Sequence, residues 1–310
     1  MTVDLSTALC GVPLCNPLVL ASGILGTDAD IMERVARCGA GAVTAKSCGP
    51  LPRQGHPNPT VLDWGPGLIN AIGLANPGID EAVPILRETR QRLHRLGVPL
   101  IASIFAHSVS EFATMAARVS EAQPDLIEVN VSCPNVAAEM GTPFALDPQA
   151  AAEATRAVKE GTGIPILVKL SPNVTDLLQI ADAVVRAGAD GLTLINSAGP
   201  GMIIDVESGC PILGNRVGGI TGPAIRPLAV RCVYEVSRRL AVPVIGTGGI
   251  MDGRDAVEMI MAGATAVGIG SAVYWHGLEV FTAVRDALCA FMEAHGYQNL
   301  AQMRGLTHAW

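Results

Sequence analysis

The stretch 186-RAGADGLTLINS-197 ends a helix-like segment at Gly188, turns through Ala189-Asp190, and runs into an apolar strand-like stretch that stops at Asn196-Ser197. The same phrase returns in 38-CGAGAVTAKS-47 and 261-MAGATAVGIGS-271. A glycine just past a helix terminus, followed by a short apolar run, reads as helix and then strand. A second phrase launches a strand from a proline: 97-GVPLIASIF-105, 163-GIPILVKLS-171 and 241-AVPVIGTGG-249. These are βα units, and they can be counted.

Candidate strands lie at 17–22, 41–47, 99–105, 125–131, 165–171, 190–196, 243–247 and 265–270, eight in all. Between them run amphipathic stretches such as 28-DADIMERVARC-38, 176-DLLQIADAVVRAG-188 and 252-DGRDAVEMIMAG-263. Each opens on an aspartate, where the helix dipole favours negative charge. Eight alternating β and α elements predict a (β/α)8 TIM barrel, with residues 1–310 forming a single domain. The chain exceeds the roughly 250 residues typical of that fold. The surplus falls in segments 48–76, 132–146 and 197–222, each after the C-terminal end of a strand and rich in Gly, Pro and Asn. Loop insertions on that face point to a covered pocket where barrel enzymes place their chemistry.

Composition supports this architecture. A hydrophobic fraction of 49% against 16% charged, with 34 glycines and only 4% aromatics, suits strands buried on both faces. The net charge of -7 and the lack of any basic cluster beyond Arg238-Arg239 argue against nucleic acid or an anionic membrane and favour a small-molecule partner. The uncharged window Met259 to Leu278 is broken by Gly263, Gly268, Gly270, Gly277 and His276, so it reads as helix end, strand and turn rather than a membrane span. No basic n-region followed by an apolar core opens the chain, and the expectation is a soluble, cytoplasmic protein. The eight cysteines, Cys10, Cys15, Cys38, Cys48, Cys133, Cys210, Cys232 and Cys289, show no C-x-x-C spacing. Neither a metal nor a cluster site is expected, and most are read as reduced, buried small hydrophobes.

Four groups of residues carry chemistry. Glycine-rich turns at 246-GTGGI-250, 268-GIGS-271 and 218-GGITG-222 fit a phosphate held by backbone N–H groups, although such turns also serve close packing. Lys46 and Lys169 sit on strands among apolar neighbours, where a ligand anion or an electron-rich ring would offset their desolvation. The alternatives are a snorkelling lysine or an internal ion pair, and finding two lysines at two strand ends weighs against them. Asn70, Asn76, Asn130, Asn135 and Asn196 lie at strand ends or in the insertions. Each alone is an ordinary turn residue, but five together suit a planar imide or carboxylate. Cys133, in 130-NVSCPN-135, reads in isolation as a packed hydrophobe, yet at the mouth of a barrel it could act as a general base. No histidine is placed to make it an acyl-transfer dyad.

Taken together, Lys46-Ser47, 70-NAIGLANPG-78, 130-NVSCPN-135, Lys169 in VKLSPN, Asn196-Ser197, 218-GGITGPAIRP-227, Gly248-Gly249-Ile250 and Gly270-Ser271 resemble the dihydroorotate dehydrogenase family, flavin enzymes of pyrimidine synthesis. The resemblance runs from Asn16 to about Trp275 in the family's order. It implies FMN across the barrel mouth, with its phosphate on Gly222, Gly248, Gly249, Gly270 and Ser271. The rest of FMN would meet Ser22, Lys46, Ser47, Ser103, Asn130, Lys169 and Ile195, the Lys169 ammonium stabilising negative charge on the reduced ring. Dihydroorotate would be held by Lys46, Asn70, Ala71, Ile72, Gly73, Leu74, Asn130, Asn135, Asn196 and Ser197. Cys133 would take the C5 proton while C6 delivers hydride to flavin N5, with Lys46 beside it in the catalytic set.

The subtype is also implied by resemblance. Membrane-attached members use serine as base and carry an N-terminal hydrophobic extension; the cysteine and the absence of that extension place this chain nearer the soluble class 1. NAIGLANPG, 199-GPGMIIDVE-207 and 222-GPAIRPLAVRCVYEV-236 resemble the class 1B catalytic subunit. The chain departs from the family pattern at Cys48-Gly49, Ala75 and 208–210. The implied assembly is a homodimer joined by an electron-transfer subunit carrying FAD and a 2Fe-2S cluster, a heterotetramer passing electrons to NAD+. The alternatives are another dihydropyrimidine as substrate, or class 1A-like use of fumarate.

Overall fold

In the computed structural model, which describes residues 3–132 and 144–310, a closed barrel occupies the centre of the chain. The strands in chain order are β1 (Thr7–Leu9), β2 (Val12–Leu14), β3 (Leu18–Leu20), β4 (Ala42–Thr44), β5 (Val61–Asp63), β6 (Leu68–Asn70), β7 (Leu100–Ile104), β8 (Leu126–Asn130), β9 (Ile166–Leu170), β10 (Gly191–Leu194), β11 (Ala198–Gly201), β12 (Ile204–Asp205), β13 (Cys210–Pro211), β14 (Gly218–Thr221), β15 (Val244–Thr247) and β16 (Ala266–Ile269). The barrel closes in the order β3-β4-β7-β8-β9-β10-β15-β16, all parallel, and each of its eight strands falls within one of the expected segments.

Helices return the chain between strands and are started by the residues predicted to start them. Asp28, Asp176 and Asp252 cap the helices Ala29–Arg37, Leu177–Arg186 and Gly253–Met261 by accepting from backbone N–H groups. Such a cap is worth about 1 kcal/mol. Asp255 completes a capping box with Asp252.

The side chains inside the barrel are layered. The lowest layer is apolar: Val19, Ala42, Ile101, Leu126, Leu167, Ile245 and Ala266 pack on Leu9 and Leu14 of the β1–β2 hairpin, which plugs the bottom. Cys10, at the turn of that hairpin, fits beneath Gly191, where an added Cβ would come within 2.8 Å of its sulfur. Because side chains alternate across a strand, the next inward layer begins two residues further on, and it is polar: Thr44, Ser103, Glu128, Lys169, Thr193 and Thr247. The core therefore changes character within one layer, and the chemistry starts there.

Two expectations need correction. Segments 48–76 and 197–222 are not simply loops: they contribute β5, β6, β11 and β14, which pair antiparallel into a four-stranded sheet in the order β11-β14-β6-β5. Their Gly, Pro and Asn content hid short strands whose partners lie some 150 residues away, as in Asn70 opposite Gly219. Nor are the cysteines mostly buried: of the seven described, Cys48 and Cys232 are buried, Cys10, Cys38 and Cys289 are half-buried, and Cys15 and Cys210 are exposed. Among the described residues no helix is long and apolar enough to cross a membrane.

Candidate active site

A cavity of about 220 Å³ lies between the C-terminal ends of the barrel strands and the added sheet. Its floor and walls come from barrel residues Ser22, Lys46, Ser47, Asn130, Lys169, Ile195, Asn196, Ser197, Thr247, Gly248, Gly249, Gly268, Gly270 and Ser271. Val61, Leu68, Asn70 and Thr221 of the sheet, with the loop residues Ile72, Gly73 and Leu74, close it from the other side. Two lysines, three asparagines and the glycine turns, drawn from distant parts of the sequence, thus meet in one space.

The glycine turns divide into two kinds. Gly222, Gly248 and Gly249 line the cavity at φ of 86°, 138° and 75°, conformations open to glycine at little cost. Gly218 and Gly246, in contrast, do not line it. A Cβ on Gly218 would lie 2.6 Å from the Asn70 carbonyl oxygen, and one on Gly246 would lie 2.3 Å from Met259. These two are packing glycines, so both readings of glycine-rich turns hold at different positions. The 249–252 turn is fixed by Asp255, whose carboxylate accepts from the backbone N–H of Met251 at 2.8 Å and Asp252 at 3.2 Å and pairs with Arg226.

Behind the cavity wall runs a chain of hydroxyl groups. Ser22 Oγ is 3.1 Å from Ser47 Oγ, Ser47 Oγ is 2.8 Å from Ser103 Oγ, and Ser103 donates to Glu128 Oε1 at 3.2 Å. Asn130 Nδ2 donates to Ser47 Oγ at 3.4 Å, and Lys169 Nζ lies 3.7 Å from Glu128 Oε1. The internal ion pair that the sequence weighed against is therefore present for Lys169, which also lines the cavity. Glu128 was missed: in 126-LIEVN-130 it occupies the inward register shared by Leu126 and Asn130, the signal that could have exposed it.

The remaining candidates separate by place. Asn70 Nδ2 donates to the Gly219 carbonyl at 3.2 Å, and Asn196 Nδ2 donates to Ser132 Oγ at 2.9 Å. Ser103 and Ala71 do not line the cavity: Ser103 is fully buried behind Ser47, and Ala71 packs with Ile69 and Leu213 beneath the sheet. Asn76 is also outside the cavity and acts as a clamp. It accepts from the N–H of Gly49 at 3.1 Å and Gly78 at 2.8 Å and donates to the Leu74 carbonyl at 2.8 Å. Gly49 is required there because a Cβ would come within 2.4 Å of the Phe105 ring. Cys48 is buried beside it, its thiol pushed up to about 12 by desolvation. Cys133 and Asn135 lie outside the described residues. The chain leads toward them through Ser132, whose N–H and hydroxyl both donate to Asn130 Oδ1.

Comparison with known proteins accounts for this arrangement. Residues 4–292 match the family model described as dihydroorotate dehydrogenase. The chain is 46% identical over 304 residues to the protein of Methanothermobacter thermautotrophicus named dihydroorotate dehydrogenase B (NAD(+)), catalytic subunit, covering 98% of each. It is 43% identical, again over 98% of each chain, to the protein of the same name from Methanocaldococcus jannaschii. The crystal structure of DHODH in complex with ferulenol from Eimeria tenella superposes with a TM-score of 0.86 at 25% identity, covering 98% of this chain and 89% of that one. A family match over nearly the whole length, a barrel of the same architecture and a lysine- and asparagine-lined mouth together assign this chain to the dihydroorotate dehydrogenase family.

Proposed function

We propose that the chain, as one domain over residues 1–310, oxidises (S)-dihydroorotate to orotate with FMN bound at the barrel mouth. The observation that carries this reading is the meeting of Lys46, Asn130, Lys169 and Asn196 with the glycine turns in a single cavity. The cavity fits a flavin mononucleotide on two counts. Gly222, Gly248, Gly249, Gly270 and Ser271 offer a cradle without side-chain bulk for a phosphate, and the buried Thr247 Oγ1 at the cavity floor has no hydrogen-bond partner within the protein. Ser22, Lys46, Ser47, Asn130, Lys169 and Ile195 would hold the remainder, with Ser103 supporting Ser47 from behind. When bound, FMN supplies the acceptor for the hydride that leaves C6.

The residues of the chain do the rest. Asn70, Asn130, Asn196 and Ser197, with the cavity-lining loop residues Ile72, Gly73 and Leu74, match the alternating donors and acceptors of a cyclic imide bearing a carboxylate, while Lys46 supplies the charge that the carboxylate needs; Asn135 and Ala71 join them on the family resemblance alone. Cys133, one residue past Ser132, takes the C5 proton as general base. The four-stranded sheet covers the cavity on the side away from the barrel, which lowers the local dielectric and strengthens each of these polar contacts. Electrons leave through a partner subunit carrying FAD and a 2Fe-2S cluster to NAD+, in a heterotetramer built on a homodimer in the cytoplasm. Support for that pathway is the name shared by the relatives, catalytic subunit of an NAD(+) enzyme.

The test is an anaerobic visible spectrum of the purified protein before and after adding dihydroorotate. Bleaching of the flavin band is expected; a yellow protein that stays oxidised removes the substrate assignment, and a colourless one that takes up no FMN removes the cofactor. NAD+ reduction only after addition of the partner supports the 1B assignment, whereas turnover with fumarate and no partner refutes it.

A further inference from the structure

Glu128 is 2% exposed, Lys169 6% and Ser103 fully buried, so a carboxylate, an ammonium and a hydroxyl share one solvent-poor layer of the barrel. The hydrogen bonds around them have a single direction. Ser103 spends its one proton on Glu128, so in its 2.8 Å contact with Ser47 it accepts and Ser47 donates. Ser47 then has no proton left for Ser22, so across their 3.1 Å contact Ser22 donates and Ser47 accepts, alongside the N–H from Asn130. Every hydroxyl proton points inward to Glu128, and Ser22 faces the cavity as an acceptor. The same carboxylate oxygen lies 3.7 Å from Lys169 Nζ. A buried ammonium left without a counter-charge is costly, and its attraction to the cavity contents grows as its neutralisation is removed.

We propose that Glu128 is a positioning residue of this site: it holds the Lys169 ammonium at the cavity wall, attenuates its charge toward the bound cofactor, and polarises the serine chain. The inference rests on the FMN reading above. It concerns how strongly the site favours electron-rich over electron-poor cofactor, a property that sets redox poise without any contact between Glu128 and the ligand.

The test measures the reduction potential of FMN bound to the holoprotein. Isosteric Glu128→Gln is expected to shift the ratio of reduced to oxidised FMN affinity about tenfold toward the reduced form, a rise of about 30 mV for a two-electron couple. Glu128→Leu, a second variant in case the first does not fold, is expected to move the potential the same way. In a Lys169→Met background there is no ammonium for the carboxylate to hold or attenuate, so Glu128→Gln there should shift the ratio less than about twofold. An unchanged or lowered potential in Glu128→Gln with FMN still bound overturns the proposal, and so does a shift that persists in the Lys169→Met background. A wild-type protein that binds no FMN overturns the cofactor reading and this inference with it.

Discussion

Replacing Gly249 by alanine separates two costs that the structure makes calculable. Gly249 sits at φ 75°, and an added Cβ would lie 2.6 Å from Arg226 Cβ and 2.9 Å from the Gly222 carbonyl oxygen. The left-handed backbone alone costs an L-residue about 1–2 kcal/mol. The overlap adds about 1–3 kcal/mol, because Arg226 cannot step aside: it is held by Asp255 and by Glu258 at 3.1 Å. Gly296 provides the control, with φ also 75° and nothing within 4 Å of its added Cβ. Gly296→Ala should therefore show only the backbone cost and Gly249→Ala both. The assay is urea unfolding of the two variants, compared through their midpoints at a shared slope, together with visible absorbance after gel filtration. Gly249→Ala should lose flavin colour as the 248–249 cradle shifts, while Gly296→Ala keeps it. Equal destabilisation by the two variants, with colour retained in both, would refute the close-packed cradle.

Cys133→Ala should slow reduction of bound flavin by dihydroorotate by about 10²–10⁴-fold, as loss of a general base does; fast reduction in stopped-flow would show that another group takes the proton. Asn76→Ala removes two hydrogen bonds within the 74–78 turn and one that ties it to Gly49, and a raised KM with smaller change in kcat is expected from the loosened 70–74 loop. Phe112→Ala, at a fully buried ring stacked edge-on against Phe144, should cost about 3–5 kcal/mol in urea unfolding. Cys48 gives a pH prediction. Its thiol holds its proton to about 12 in the folded chain because of burial, while the unfolded thiol ionises near 8.5, so its contribution to stability is fully present below about 8.5 and is lost as pH rises toward the folded value. Between those limits the wild type should lose about 1.4 kcal/mol per pH unit relative to Cys48→Ala, and parallel pH profiles would refute the assignment.

The barrel was legible because its signals are local. A helix stop at Gly188, Gly39 or Gly263 followed by a buried run reports a βα unit wherever it occurs, and backbone hydrogen bonding then requires parallel neighbours. Lys46, Asn130, Lys169 and Asn196 were legible for a related reason: a polar residue at the end of an apolar strand has to face the barrel mouth. What tertiary structure alone decided depends on partners distant in sequence. Asn70 pairs with Gly219 in a sheet that neither segment proclaims, since strands of three and four residues, LIN and GGIT, are too short to show a periodicity. The distinction between cradle glycines such as Gly249 and packing glycines such as Gly218 rests on what lies against each one, Arg226 and Gly222 or the Asn70 carbonyl. Glu128 is the sharpest case. A single carboxylate in LIEVN has no local reason to stand out, and only closure of the barrel brings it to Lys169 on the neighbouring strand and to Ser103 on the other side. Sequence set the period and the residue types, because those follow from neighbours along the chain; charge pairing and the direction of the hydroxyl chain awaited the fold, because they follow from neighbours across space.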